Sequence, residues 1–589
     1  MPSSSDQWLY VVAPLFAYGL ASLGLAAWGW GEGAGKGNPV TGFFRAISWS
    51  LHRLTGLAGW AAAGALTGLT AAGIAAVGLY WDVAWHIDLG RDDDLFTPSH
   101  TMILIGLNGL VFAAAIAVAF ANLDRFESKG IDEGGDRRLR VPWSAVVLGA
   151  LGVGASVAFP LDNLWHESYG VDVTLWSPTH LMLIAGGSLS PMAIWLMLRE
   201  GRRQAGVEAT GLGRALEALT FGAILTGLAT IQGEFDFGMP QFQVLYQPIL
   251  ITAAAGLALV AARAALGRGG AMLATVGFLV LRVVIALVVG GALNHTVPRF
   301  PLYLGAAGAV EVAALLLGTE RRVRFALVSG AMVATVGLAA ELVWIRLSGW
   351  GTPTTQGLPL AVLLSVAAGT AAAVIGLAFV QGDAVGGTRV RPLAALGAGL
   401  ALAVVLAIPL PRTTGAVQAV IGLDRLDGEA LVTVQLEPPT AAESAELFGV
   451  VSWQGGGRVQ AALRAVGPGR YVTSTPVPVT GEWKTMIGLQ RGKEVMAAPI
   501  YLPADTDIGA SVVPALAERR AAFVRNTDIL LREGKDGPAW PALLSYAGVA
   551  IVLAMWLAFF TRAASRVQPP APPRSGRRPR APTAVGAEL

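Results

Sequence analysis

Apolar stretches of about 18 to 25 residues recur along the chain, and each can carry a helix across a hydrocarbon layer roughly 30 Å thick. Inside such a layer a chain satisfies its own backbone N–H and C=O groups, which leaves helices as the spanning element for uninterrupted apolar runs. Thirteen stretches qualify, near 8–30, 54–80, 99–122, 142–161, 180–198, 215–232, 246–266, 271–290, 301–318, 325–346, 358–380, 392–410 and 541–561. Only 14% of residues are charged against 54% hydrophobic, a membrane composition. The expected fold class is an all-α polytopic membrane protein of about 13 transmembrane helices with one extracytoplasmic β-sandwich domain. The expected division is a transmembrane domain over 1–411, a β domain with its connector over 412–535, a last transmembrane helix over 536–561 and a disordered basic tail over 562–589.

Basic residues orient the stack, because Lys and Arg are retained on the cytoplasmic side of short loops. "KGIDEGGDRRLR", "REGRR", "ERRVR", "GTRVR" and "RSGRRPR" all fall on one face, while the opposite short loops carry chiefly Arg91, Arg299 and Arg346. This predicts an integral plasma-membrane protein with its N-terminus outside and its C-terminus in the cytoplasm. "MPSSSDQWLY" lacks a basic n-region, so the first apolar segment is expected to be retained. The net charge of +3 is explained by this topology and implies no nucleic-acid partner. With no Cys, disulfides, thiolate metal sites and thiol catalysis are excluded. Between the last two spans, "GEALVTVQLEPP", "LFGVVSWQGGG", "GRYVTSTPVPV" and "EWKTMIGLQRG" are short, alternating, β-branched runs separated by turn residues, which argues a small sandwich.

The chain has six histidines, and four lie in two copies of one phrase: "WDVAWHIDLGRDDDLFTPSH" from Trp81 and "LDNLWHESYGVDVTLWSPTH" from Leu161. In register, Asp82 matches Asp162, Trp85 Trp165, His86 His166, Gly90 Gly170, Asp92 Asp172, Pro98 Pro178 and His100 His180, and the match runs on through Met102/Met182 and Gly106/Gly186. Each phrase joins two spans, so the unit is a helical hairpin repeated in parallel. Weaker echoes follow at Glu234 and Asp236, at His295, and at Glu341 with Trp344.

Asp82 and His86 are four apart and project from one face of a helix end. "TPSH" and "SPTH" read as helix starts, with Thr97 or Ser177 as N-cap, Pro98 or Pro178 first and His100 or His180 third. Each hairpin thus aims a carboxylate and two imidazoles at one end, a first shell suited to copper, zinc or non-haem iron. Two other readings stand beside this one. The groups can merely hydrogen-bond the loops, or the His spacing can ligate haem; the latter needs a continuous helix that Gly90 and Pro98 interrupt.

At these residues the chain resembles the C subunit of the copper membrane monooxygenases, which hydroxylate methane, ammonia and short alkanes. In that family an Asp-x3-His-x12-His set binds copper, with an Asn-x3-His-x13-His set nearby. Asp82-x3-His86-x13-His100 and Asp162-x3-His166-x13-His180 look like that pair, over about 100 to 130 residues. One spacing is a residue longer, and both acidic positions are Asp. The resemblance implies copper at those six residues, a small apolar substrate with O2, and electrons from quinol or a partner; the alternative is copper transport or delivery without catalysis. The outer domain looks similar to the FixH/YtkA type, with Pro-Gly-x-Tyr and Gly-x-Trp in "GPGRYVTSTPVPVTGEW". That resemblance implies a role covering the site or docking a partner subunit or electron donor.

Four further expectations concern single residues. Arg282 and Glu311 are expected to pair within the membrane, and His295 to be structural rather than a ligand. Trp85 and Trp165 are expected in an interfacial belt and as walls of the sites. Met486 and Met496 are expected as β-domain packing.

Overall fold

The computed structural model describes residues 16–25, 27–28, 39–91, 96–123, 139–170, 175–348, 357–380, 392–407, 416–535 and 537–567. Ten helices in it are long and apolar enough to cross a membrane. They are α1 Gly59–Asp88, α2 Pro98–Leu123, α3 Trp143–Tyr169, α4 Pro178–Ala205, α5 Gly211–Asp236, α6 Tyr246–Leu266, α7 Gly270–Ala292, α8 Arg322–Leu347, α9 Leu358–Phe379 and α10 Ala539–Val567. Among the described residues the count is therefore ten, and the expected thirteen is not reached. The other three stretches carry shorter apolar helices, Phe16–Leu25, Leu304–Leu317 and Ala395–Ala407. Leu304–Leu317 is short because Gly318 ends it at φ 67° and "RFPLY" precedes it in non-helical backbone.

The repeat extends from the loops into the packing. A Cβ on Gly106 would lie 2.4 Å from the backbone N of Ala75, and one on Gly186 would lie 2.6 Å from the Cβ of Ala155. Ala75 and Ala155 are themselves eighty positions apart, so α1 crosses α2 and α3 crosses α4 at equivalent small residues. Close approach of this kind drives helix association where lipid is as apolar as the side chains.

The β domain corrects a second expectation. Its strands are β1 Gln418–Leu426, β2 Glu429–Glu437, β3 Leu447–Trp453, β4 Val459–Gly467, β5 Arg470–Thr473, β6 Val477–Pro478, β7 Lys484–Arg491, β8 Glu494–Tyr501, β9 Glu518–Ala522 and β10 Val524–Arg525. They form one antiparallel sheet in the order β10-β8-β7-β3-β4-β5-β2-β1-β9, with β6 on β2, curled nearly into a barrel. A sandwich of two sheets is not what forms, because β4 pairs with β3 on one side and β5 on the other and makes the layers continuous. A register shift in β4 between Ala465 and Gly467 lets the strand bend there. Both methionines are buried as packing residues, Met496 in the domain's core and Met486 on the sheet's other face with Trp453, Ile529 and Met239.

The domain sits on the α1 and α3 ends that carry the repeated phrases. Gln454 N and Gly456 N donate to Ile87 O and Asp88 O at 2.8 and 2.9 Å, and Gln454 Nε2 donates to His86 O at 3.2 Å. Arg91 reaches Asp505 at 2.7 Å and Asp507 at 2.8 Å. Beside α3, Lys535 N donates to Tyr169 O at 2.8 Å.

Candidate metal centre

Both helix starts form as the sequence predicts. Ser177 caps α4 by accepting from His180 N at 3.1 Å, and Thr97 accepts from His100 N at 3.3 Å at the start of α2. The capped turn fixes the direction of the third-position histidine. At the other side of each loop, α1 closes with Leu89 N donating to Trp85 O and α3 with Gly170 N donating to His166 O. Gly90 and Gly170 then leave the helix at φ 102° and 106°, a conformation that L side chains rarely adopt.

These turns bring together all six expected residues as two triads, Asp82–His86–His100 and Asp162–His166–His180, the potential ligand atoms of each within 4.8 Å of one another. In the first, Asp82 Oδ1 is 3.2 Å from His100 Nε2 and Oδ2 is 3.6 Å from His86 Nε2. In the second, Asp162 Oδ2 is 3.0 Å from His180 Nε2 and 3.6 Å from His166 Nε2. The triads stand apart, with Phe159, on the helix that carries Asp162, edge-on to His100 at 5.7 Å. Asp92 to Asp94 and Asp172, singled out in the loops, lie outside the described residues.

Two imidazoles and a carboxylate suit a borderline divalent ion of the copper, zinc or iron kind. His86 Nδ1 is 2.9 Å from Gly90 O, and with Nδ1–H donating to that carbonyl the Nε2 lone pair turns towards Asp82. A second hydrogen-bond layer, which the sequence reading did not single out, orients the carboxylates. Ser99 Oγ donates to Asp82 Oδ1 at 2.8 Å, and Thr179 Oγ1 donates to Asp162 Oδ1. The signal was present, since Ser99 and Thr179 are themselves eighty apart in the repeated phrase.

One cavity of about 620 Å³ reaches both triads, touching Asp82, His86 and His100 of the first and Asp162 and His180 of the second. The β domain closes its end with Trp453, Gln454 and Leu531. Glu234, an echo of the phrase in the third hairpin, also lines it, accepting from Trp176 Nε1 at 2.7 Å and Gln241 N at 2.9 Å.

Other expected residues settle elsewhere. Arg282 does not meet Glu311. It pairs with Asp236 at 2.7 Å beneath the Tyr80 ring, whose hydroxyl donates to the same carboxylate at 3.1 Å. Glu311 instead pairs with Arg263 at 2.8 Å and accepts from Gly269 N and Ala271 N at the start of α7. The reason is depth, since Arg282 lies twelve residues beyond Gly270, about 18 Å further along the same helix. His295 is held by Asp88 at 2.9 Å and is no part of either triad. Trp85 packs on His295 and Trp165 stacks on Tyr169, so neither walls the cavity.

Comparison of the chain with protein-family models, with curated proteins and with solved structures finds no match, so the site stands on its own geometry.

Proposed function

We propose that the protein is a copper-dependent membrane oxidoreductase that hydroxylates an apolar substrate, oriented with its β domain outside the plasma membrane and its C-terminus in the cytoplasm. The observation that carries this reading is that two His–His–Asp triads open on one largely apolar cavity. Three protein ligands per ion leave coordination positions free, and copper held in this way supplies one-electron chemistry with O2. The overall conversion is R–H + O2 + two protons + two electrons giving R–OH + H2O, the electrons coming from a quinol or a protein donor docked at the β domain.

The chain's own residues do the rest. His86 sits on a helix end, and His100 and His180 on capped helix starts, so a substrate in the cavity meets imidazoles fixed by helical backbone. Trp453 and Leu531 exclude water from above. Glu234, tethered by Trp176 and Gln241, is placed to hand protons into the cavity. A second reading, copper transport or delivery without catalysis, gains support from Met102 and Met239, which line the same cavity and belong to a residue type that suits copper(I).

Metal analysis and electron paramagnetic resonance of the purified protein test the proposal. Copper at about one ion per triad is expected, as isolated Cu(II) signals that halve in the His86→Ala/His100→Ala variant. Full metal retention after all four histidines are replaced sinks the metal reading, and turnover-free copper release to a chelator favours the second.

A further inference from the structure

The cavity continues far beyond the triads. On α1 its lining runs from His86 back to Leu66, twenty residues or about 30 Å of helix, the thickness of a bilayer's hydrocarbon core. Along that length α1 and α7 meet only towards the β domain, where Val77, Tyr80 and Ala84 pack with Ile285 and Val289. Below that junction they diverge. Gly64 of α1 lies against Met197 of α4 and Ala117 of α2, whereas Gly277 of α7 lies against Gly222 of α5. The floor between them is closed, because Gly227 of α5 crosses the backbone of Ser188 of α4 at 2.3 Å from where a Cβ would sit. Among the described residues none covers the fourth side, where Leu66 of α1 at 43% and Val284 of α7 at 48% exposure both line the cavity and face the membrane.

The lining is also graded. Outside the triads its ionisable residues among those described are Arg91, Glu234 and Glu533, all at the β-domain end. From Leu66 to Leu79 on α1, and from Leu216 to Thr230 on α5, no ionisable residue lines it. A groove polar at one end, apolar for its length and open sideways to lipid matches an amphiphile. A volume of about 620 Å³ has room for one alkyl chain of about twenty methylenes at roughly 30 Å³ each.

We infer that the groove takes a single long-chain amphiphile drawn sideways from the bilayer, its chain between α1 and α7 and its reactive end at the triads. The second half rests on the reading of the triads as metal sites; occupancy of the groove does not.

The probes are hexadecanol carrying a photoreactive diazirine at its terminal carbon, and a phosphatidylcholine carrying the same chain, each in phosphatidylcholine vesicles with the full-length protein. Saturable labelling of the Leu66–Gly73 and Leu216–Ala223 segments by the alcohol is expected, blocked by unlabelled hexadecanol. The exposed Leu543 face of α10 should label without saturation. Gly73→Trp, where an added Cβ meets nothing within 4 Å, and Thr70→Trp on the exposed rim should cut groove labelling at least fivefold. Metal content, measured in parallel, should not move. Absence of saturable labelling, equal labelling in both tryptophan variants, or labelling by the phospholipid alone overturns the inference. Saturable labelling of a protein that binds no metal keeps the groove and refutes the metal reading, so the two fail separately.

Discussion

Ser99 and Thr179 set the direction in which Asp82 and Asp162 face. Each hydroxyl stands one position before a triad histidine on a capped first turn, and donates to the oxygen Oδ1 of the carboxylate on the neighbouring helix. Its own orientation is fixed by the cap, Thr97 at 3.1 Å from Ser99 and Ser177 at 3.1 Å from Thr179. Removing such a partner leaves a sheltered carboxylate short of one hydrogen bond and free to rotate off the two imidazoles. Ser99→Ala and Thr179→Val should therefore each weaken copper binding at their own triad by about 10- to 100-fold, the usual cost of losing an outer partner of a metal ligand. Competition with a chromophoric chelator reads this directly, and unchanged affinity in both variants speaks against the orienting role. The candidate ligands were legible in the sequence because Asp, His and His recur at fixed spacing; their orienting hydroxyls recur at the same spacing but do not stand out, because Ser and Thr after a cap are ordinary helix-start residues. The partner of Arg282 was hidden for a different reason. Helix depth, not distance from an apolar run's end, decides which charges meet, and the short Leu304–Leu317 helix shifts Glu311 to the opposite end of α7.

At the scale of elements, the repeat is a pair of hairpins welded at small residues. Gly106 against Ala75 and Gly186 against Ala155 let the two helices of each hairpin approach closely enough for a carboxylate on one to face an imidazole on the other. Gly106→Leu or Gly186→Leu has to push the helices apart, at a cost of about 1–3 kcal/mol or more for an overpacked interior. Each should lower the melting temperature of the purified protein and the metal content of its own triad. Gly73→Ala, which meets nothing, should leave both unchanged. Equal behaviour of all three variants would show that the crossings do not set the site. Hairpin existence and register could be read from the chain because hydropathy and the phrase coincide. Sheet continuity in the β domain could not, since alternating runs look alike whether neighbours pair within one sheet or across two.

For the molecule as a whole, the contact between the β domain and the α1 end governs access from above. Burial works against charge on Asp505, yet the Arg91 hydrogen bonds and charge outweigh it and hold the carboxyl below its ordinary 3.8, while Arg91 is shifted up in return. A depressed carboxylate contributes stability above its unfolded value and loses it as the pH falls through the folded one, so this clamp releases only in acid. At neutral pH a partly exposed pair of this kind contributes about 1 kcal/mol at most, roughly fivefold in an opening equilibrium. Protease added to intact spheroplasts should cleave within 416–535, and Asp505→Asn should raise the cleavage rate up to about fivefold. Protection of the segment from outside would invert the proposed orientation, and identical rates would remove the clamp.

The backbone bonds from Gln454 and Gly456 to Ile87 and Asp88 join residues 367 and 368 positions apart in the chain. At a synthesis rate of about 5–20 residues per second, roughly 20–70 s separate the emergence of the first hairpin from that of the strand end that caps it. During that interval the first triad exists as an open-topped pair of helix ends, with its second copy already beside it and no roof over either. On the proposed reading of the triads as metal sites, an ion has open access during that window, and the closing of the β domain marks its end, which makes maturation of the site a matter of timing as much as of affinity.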